Sequence, residues 1–197
     1  INVIRIAEST WSTWEPQEGV FDFTHLHRML AASAAHGIFV IVGTPTYAIP
    51  TWLVSKYPDV IAPTHGAPER YGRRQNMDIT HPMYLKHAEI MIRRLMEEVS
   101  SYDHVIGFQI DNETKAYDTC SDYAQKKFIA YLREKFHDDL DAMNHAFGLD
   151  YWSNRVDAWE DFPDVRGTIN ASLGAEFEKF RCTLVDEYLE WQGKIVR

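Results

Sequence analysis

Three consecutive polar side chains, Asp111, Asn112 and Glu113, close an apolar run at 105–110 that contains Val105, Ile106, Phe108 and Ile110. A carboxylic acid placed there can hand a proton to a leaving oxygen, and the carboxamide beside it can hold a hydroxyl of the same substrate. The competing reading is an ordinary strand exit, where Asp and Asn recur because they favour turns. The tripeptide alone favours that ordinary exit, so the rest of the chain has to decide.

Cleavage of a glycosidic bond needs a proton donor on one side and a carboxylate opposite it, about 5–5.5 Å away in retaining enzymes. Glu113 suits the proton-donating role, and Asn112 suits a sugar 2-hydroxyl, a contact that strengthens as charge develops on the ring. Sugars also stack on aromatic rings. Trp11, Tyr47, Trp52, Tyr117, Tyr151 and Trp152 all fall in predicted loops, near the polar candidates Arg5 and Arg74. Any one of these aromatics is presumed to fill the core. Trp152 is the exception, because the run DYWSN at 150–154 is too polar for a core strand.

Other chemistries lack their signatures. No G-x-S-x-G, H-E-x-x-H or phosphate-loop pattern occurs. His87 and Glu89 share a helical pattern without a second His, which predicts a satisfied or solvated helix residue. The nine histidines are scattered and none is assigned to a metal. Asp138, Asp139 and Asp141 read as a helix N-terminus whose charge complements the dipole.

The elements that would position these residues alternate. A strand is predicted at 1–6, then a turn-rich loop at 14–19. A helix capped by Thr24 and stopped by Gly37 follows, then a strand at 38–43. Prolines 45 and 50 end that strand, and a short helical turn starts near Thr51. The segment 57–80 is polar and irregular, with Arg70, Arg73 and Arg74, and a loop of that length usually has a job. Pro82 opens a helix with one apolar face (Ile90, Met91, Leu95, Val99), and the 105–110 strand reads as buried on both faces. Helices follow through Phe128 and Leu132, from Leu140 to a stop at Gly148, and from Ala171 onward.

Strand–helix alternation predicts an α/β fold with parallel strands. A doubly wound sheet usually carries a glycine-rich phosphate loop, and none follows these strands. Each strand instead ends in a loop with polar and aromatic residues, the manner of a (β/α)8 TIM barrel. Three strands make less than half of one, so the chain is expected to be part of a single catalytic barrel domain, truncated at both ends. It starts at Ile1 inside a strand pattern and ends in helical periodicity with no stop signal.

Composition bounds the partners. The 197 residues are 45% hydrophobic with net charge −9, which argues against nucleic acid as a partner. A small neutral or polar molecule fits better. Two cysteines, Cys120 and Cys182, make no disulfide framework and no metal spacing, and they suit a cytoplasmic setting. No apolar run approaches a membrane span.

The segments VIRIAESTWSTWEPQEGVFDF, GTPTYAIPTWL, GRRQNMDITHPMY, VIGFQIDNE and FGLDYWSNRVDAWEDF, in that order, resemble the glycoside hydrolase family 42 β-galactosidases. The resemblance implies a barrel whose strands 2 to 4 lie in this chain, cytoplasmic location, and a possible homotrimer of the full-length protein. It places Glu113 as the general acid/base and Asn112, Arg74, Trp152 and Arg5 in the substrate pocket. The family's nucleophile, a Glu on the seventh strand, falls outside the chain, and Glu8, Glu176 and Glu187 do not take its place. Many relatives carry a four-cysteine zinc site. Here Asp78 stands near the first position and only Cys120 lies in the second region, so neither zinc nor any other cofactor is expected. The implied activity is retaining hydrolysis of terminal β-D-galactosides. The alternatives are a barrel glycosidase acting on arabinosides or other β-glycosides, and a non-catalytic carbohydrate-binding barrel.

Overall fold

The computed structural model describes residues 1–63, 70–72, 74–114, 120–164 and 169–197. Tyr117 and Arg73 lie outside the described residues. Strands β1 (Val3–Ile6), β2 (Phe39–Gly43) and β3 (Val105–Gln109) form one sheet in the order β1-β2-β3, with both pairings parallel. Helix α1 (Trp11–Trp14) and helix α2 (Thr24–Ala35) join β1 to β2. Helix α3 (Thr51–Lys56) and helix α4 (Pro82–Val99) join β2 to β3. After β3 come α5 (Asp122–Lys135), α6 (Leu140–Phe147) and α7 (Ala171–Val196). Parallel neighbours need such crossovers, because a hairpin turn cannot return the chain to the same end of the sheet.

Local chemistry explains most of the boundaries. Pro82 costs nothing at the first position of α4, where its missing N–H would be unpaired anyway. The His81 ring caps that end, its Nδ1 accepting the Met83 N–H at 3.1 Å. Asp139 caps α6 by accepting the Ala142 N–H at 2.9 Å, and Gly148 ends the helix in the left-handed region at φ 65°. The start of α2 departs from expectation: Thr24 makes no side-chain cap, and Asp22 instead accepts the Thr24 N–H at 2.9 Å. Two residues earlier in the chain, a carboxylate reaches that N–H as an Asx turn.

The core lies between the sheet and the helices. Tyr84, Ala88, Met91, Ile92 and Leu95 form the buried stripe of α4, at the three- and four-residue spacing of one helical face. Helix α7 packs on that helix, and the Tyr84 and Tyr188 hydroxyls hydrogen-bond between them. Val40 and Val42 of the central strand are fully buried. β3 is not buried on both faces: Ile106 is 54% exposed and Phe108 39%. Among the described residues it has a strand neighbour on one side only, and the helices cover the central strand best. His87 also differs from expectation. It is buried between the rings of Trp52 and Tyr57, and its Nε2 has no hydrogen-bond partner among the described residues.

Candidate active site

The site is built on the C-terminal ends of the strands. Register pairs Arg5 with Ile41 and Gln109 with Gly43, so side-chain alternation puts Arg5, Gly43 and Gln109 on one face of the sheet. Arg5 and Gln109 sit on non-adjacent strands, about 9–10 Å apart across β2 at the usual inter-strand spacing. Arg5 spans that width: its Nη1 donates to Gln109 Oε1 at 2.6 Å. Its Nη2 donates to Glu8 Oε1 at 3.2 Å, just beyond the end of β1. Glu8 folds so closely over β2 that only glycine fits at position 43 without displacing it.

After Gln109 the backbone turns through two left-handed residues, Asp111 at φ 54° and Glu113 at φ 49°. Each such residue costs on the order of 1–3 kcal/mol unless its surroundings enforce it. For Asp111 the enforcement is visible. Its N–H donates to Thr44 Oγ1 at 2.7 Å, Thr46 Oγ1 donates to its Oδ1 at 3.0 Å, and Thr114 Oγ1 donates to its Oδ2 at 2.8 Å. Thr44 Oγ1 also donates to Gln192 Oε1 at 2.7 Å, tying the turn to α7. Gln75, itself left-handed at φ 58°, clamps the next two residues. Its Nε2 donates to the carbonyls of Asn112 at 2.9 Å and Glu113 at 3.0 Å.

The two carboxylates of the tripeptide therefore have different fates. Asp111 is fully buried with both oxygens engaged, which makes it a structural anchor. The Glu113 side chain is exposed, and its carboxylate makes no hydrogen bond among the described residues. Of the two, only Glu113 can approach a ligand. Asn112 is half-buried, and its Oδ1 accepts from Gln109 Nε2 at 3.1 Å.

The other candidates are distributed unevenly. Arg5 joins the cluster through Gln109. Arg74 lies next in sequence to Gln75, with its guanidinium 5.4 Å from the centre of the Tyr47 ring. Trp152 stands in a left-handed turn at φ 60° and is 93% exposed, so none of the described residues packs it against the cluster. Trp11 and Tyr47 are buried. Trp11 Nε1 donates to the buried Glu15 at 2.7 Å, and the half-buried Trp52 donates to the Glu15 carbonyl at 2.9 Å. These three aromatics serve the core beneath the loops. A cavity of about 190 Å³ lined by Ile79, Leu85, Tyr188 and Trp191 lies within the helical layer and includes neither Asn112 nor Glu113.

Sequence reasoning missed Gln75 and Gln109. For Gln109 the signal was a polar residue inside an apolar strand, aligned with Gly43 two positions before Asp111. Among the described residues no group of three His, Cys, Asp or Glu could hold a metal. Asp78 is occupied by the Thr80 N–H at 2.8 Å and Oγ1 at 2.6 Å, and Cys120 Sγ donates to the Pro63 carbonyl at 2.8 Å. Among the described residues no helix is long and apolar enough to cross a membrane.

Comparison with known proteins agrees with this arrangement of strands and loops. The chain is 30% identical over 201 residues to the β-galactosidase BgaA of Clostridium cellulovorans, covering 100% of this chain and 30% of that protein. It is 30% identical over 201 residues to a β-galactosidase of Thermus thermophilus, covering 98% of this chain and 31% of that one. Among solved structures, a catalytic mutant of Gan42B, a GH42 β-galactosidase from G. stearothermophilus, superposes with a TM-score of 0.92 at 25% identity. That match covers 100% of this chain and 29% of the other. The cold-adapted β-galactosidase of Rahnella sp. R3 gives a TM-score of 0.90 at 27% identity, over 99% of this chain and 29% of the other. The chain thus spans about 30% of the length of the curated relatives it matches. The three parallel strands and their helices are those of a partial barrel. With the profile of glycoside hydrolase family 42, described as β-galactosidase, matching residues 1–197, the chain belongs to that family.

Proposed function

We propose that this chain is the acid-bearing part of the catalytic TIM-barrel domain of a retaining β-galactosidase, contributing barrel strands 2 to 4. The observation that carries the reading is the fate of the tripeptide, in which Asp111 is buried and saturated while the exposed Glu113 carboxylate makes no hydrogen bond among the described residues. Glu113 protonates the departing glycosidic oxygen and then, as a carboxylate, takes the proton of the water that releases galactose. Asn112 holds the sugar 2-hydroxyl, and Arg74, Arg5 and Trp152 line the pocket. The nucleophile belongs to a strand outside this chain. The whole protein works without metal or other cofactor, binds neither nucleic acid nor membrane, and acts in the cytoplasm as a homotrimer.

The test is Glu113→Gln in the whole protein. Loss of the acid should slow glycosylation on the order of 10²–10⁴-fold for galactosides with poor leaving groups. Nitrophenyl galactosides, whose leaving oxygen needs little protonation, should lose much less in that step. Equal loss on both would sink the acid assignment. The isolated 197-residue chain should turn over no galactoside, since a retaining mechanism needs two carboxyl groups. A substrate panel that favoured arabinosides or other β-glycosides would redirect the specificity, and binding of sugars without hydrolysis would favour a non-catalytic barrel.

A further inference from the structure

We infer that Gln109 is a positioning residue that fixes the Asn112 amide, so that Asn112 offers its Nδ2, not its Oδ1, to the substrate. The inference rests on the proposed role of Asn112 in binding the sugar.

It follows from the polarity of the groups around Gln109. A guanidinium only donates, so the Gln109 atom 2.6 Å from Arg5 Nη1 must be Oε1. A backbone carbonyl only accepts, so the atom 2.8 Å from the Asp111 carbonyl must be Nε2. Two independent partners, one on β1 and one in the turn after β3, thus impose the same amide orientation. Nε2 has a second hydrogen, and it is aimed at Asn112 from 3.1 Å. Only a carbonyl oxygen can receive it. Asn112 Oδ1 is thereby turned to Gln109, and its Nδ2, which makes no hydrogen bond among the described residues, is the group left to donate to a ligand. Gln75 holds the Asn112 carbonyl, so the backbone cannot swing to undo the choice.

The consequence concerns the ligand. A hydroxyl meeting Asn112 is read as an acceptor, and its own O–H stays free to donate to a carboxylate on its other side. Gln109→Glu is the informative variant. It keeps an acceptor for Arg5 but removes both donors, setting a carboxylate against the Asp111 carbonyl and Asn112 Oδ1. Asn112 must then turn its amide over.

The experiment uses the whole protein with Gln109→Glu, Gln109→Met, Asn112→Ala and the double variant Gln109→Met/Asn112→Ala. Each is assayed on a nitrophenyl β-D-galactoside and on its 2-deoxy counterpart. Gln109→Glu and Gln109→Met should lower kcat/KM for the galactoside on the order of 10–100-fold, the loss of one well-aligned hydrogen bond. The 2-deoxy substrate should change no more than about 3-fold, a few tenths of that effect on a free-energy scale. The double variant should match Asn112→Ala alone. Equal losses on both substrates, or losses that multiply in the double variant, would overturn the inference. If the wild-type protein hydrolyses no galactoside, the enzymatic reading fails by itself. Diffraction at a resolution that shows amide hydrogens then decides the orientation. Asn112 Oδ1 facing Gln109 in the wild type and turned away in Gln109→Glu supports it; the same orientation in both refutes it.

Discussion

Two glycines in adjacent strands offer a controlled test of how the end of β1 is held over β2. A methyl group added at Gly43 would lie 3.1 Å from Glu8 Cβ, 3.1 Å from its backbone N and 3.2 Å from its Cα. Optimal carbon–carbon contact is about 3.5–4.0 Å, so Glu8 must retreat by a few tenths of an ångström. Two of the three atoms are backbone, and no rotamer change relieves them. Overpacking of this kind typically costs about 1–3 kcal/mol. Against it, Gly→Ala at a compatible backbone angle stabilises by about 0.4–1 kcal/mol through the unfolded chain. The clash wins, and Gly43→Ala should be less stable by about 1–2 kcal/mol. Gly107 on β3, opposite Ile41 of β2, has no described residue within 4 Å of its would-be Cβ. Gly107→Ala therefore keeps only the favourable part and should gain about 0.4–1 kcal/mol. Urea unfolding of the chain followed by circular dichroism reads both, provided the m-values agree. The midpoints should rank Gly107→Ala above the parent and the parent above Gly43→Ala. A Gly43→Ala midpoint at or above the parent's would show that Glu8 yields freely, and that the close approach does not hold the loop.

Two further predictions concern pH. Burial raises the Glu15 carboxyl above its ordinary value of 4.5, against the lowering by the Gly19 N–H and the Trp11 indole. Folding therefore favours its protonated form, and stability present below pH 4.5 is lost as pH rises through the raised value. Relative to the parent, Glu15→Gln should grow more stable with pH from 4.5 upward, whatever constant offset the amide introduces. Parallel stability curves would exclude a titrating Glu15. Burial lowers the His87 ring below its ordinary 6.5, only partly opposed by Glu18 at 3.7 Å. Its contribution is complete above pH 6.5 and is lost as pH falls below that value. Substituting His87→Phe should flatten the acid limb of a urea-midpoint profile, and an unchanged limb would place the acid sensitivity elsewhere.

What could be read from the chain depended on how local the cause was. The apolar face of α4, its opening Pro82 and the left-handed stop at Gly148 are written within a few residues of the feature they produce. β2 and β3 were visible as short apolar runs. Burial was less accessible, because it depends on which layers cover a strand: Ile106 and Phe108 have the composition of core residues and lie exposed. The cap of α2 was misplaced by two residues because Asp22 and Thr24 carry equivalent cap chemistry. The aromatic loops were located, but Trp11 and Tyr47 turn inward to the core, beside residues distant in sequence such as Tyr84, whose ring centre lies 6.3 Å from that of Trp11, and Arg74, 5.4 Å from the Tyr47 ring. The saturation of Asp111 was invisible for the same reason, since Thr46 stands 65 residues away.

The orientation of Asn112 is the extreme case of such non-locality. Asn112 and Gln109 are three residues apart, yet the hydrogen bond between them takes its direction in part from Arg5, which is 104 residues from Gln109. A peptide containing only the β3 exit could let either amide flip, because neither a guanidinium nor an ordered turn would distinguish oxygen from nitrogen. Pairing of β1 with β2 and of β2 with β3 brings Arg5 into reach, and Gly43 leaves room for Glu8 to settle beside it. The polarity of the site is then inherited from Arg5 and the Asp111 carbonyl through two amides. Lysine at position 5 could supply charge but not the planar fork by which Arg5 reaches Gln109 with one nitrogen and Glu8 with the other. Arg5→Lys should accordingly keep the fold while weakening the same hydroxyl-dependent rate that Gln109→Met weakens. A full retention of that rate would mean that the turn at Asp111, not Arg5, sets the amide.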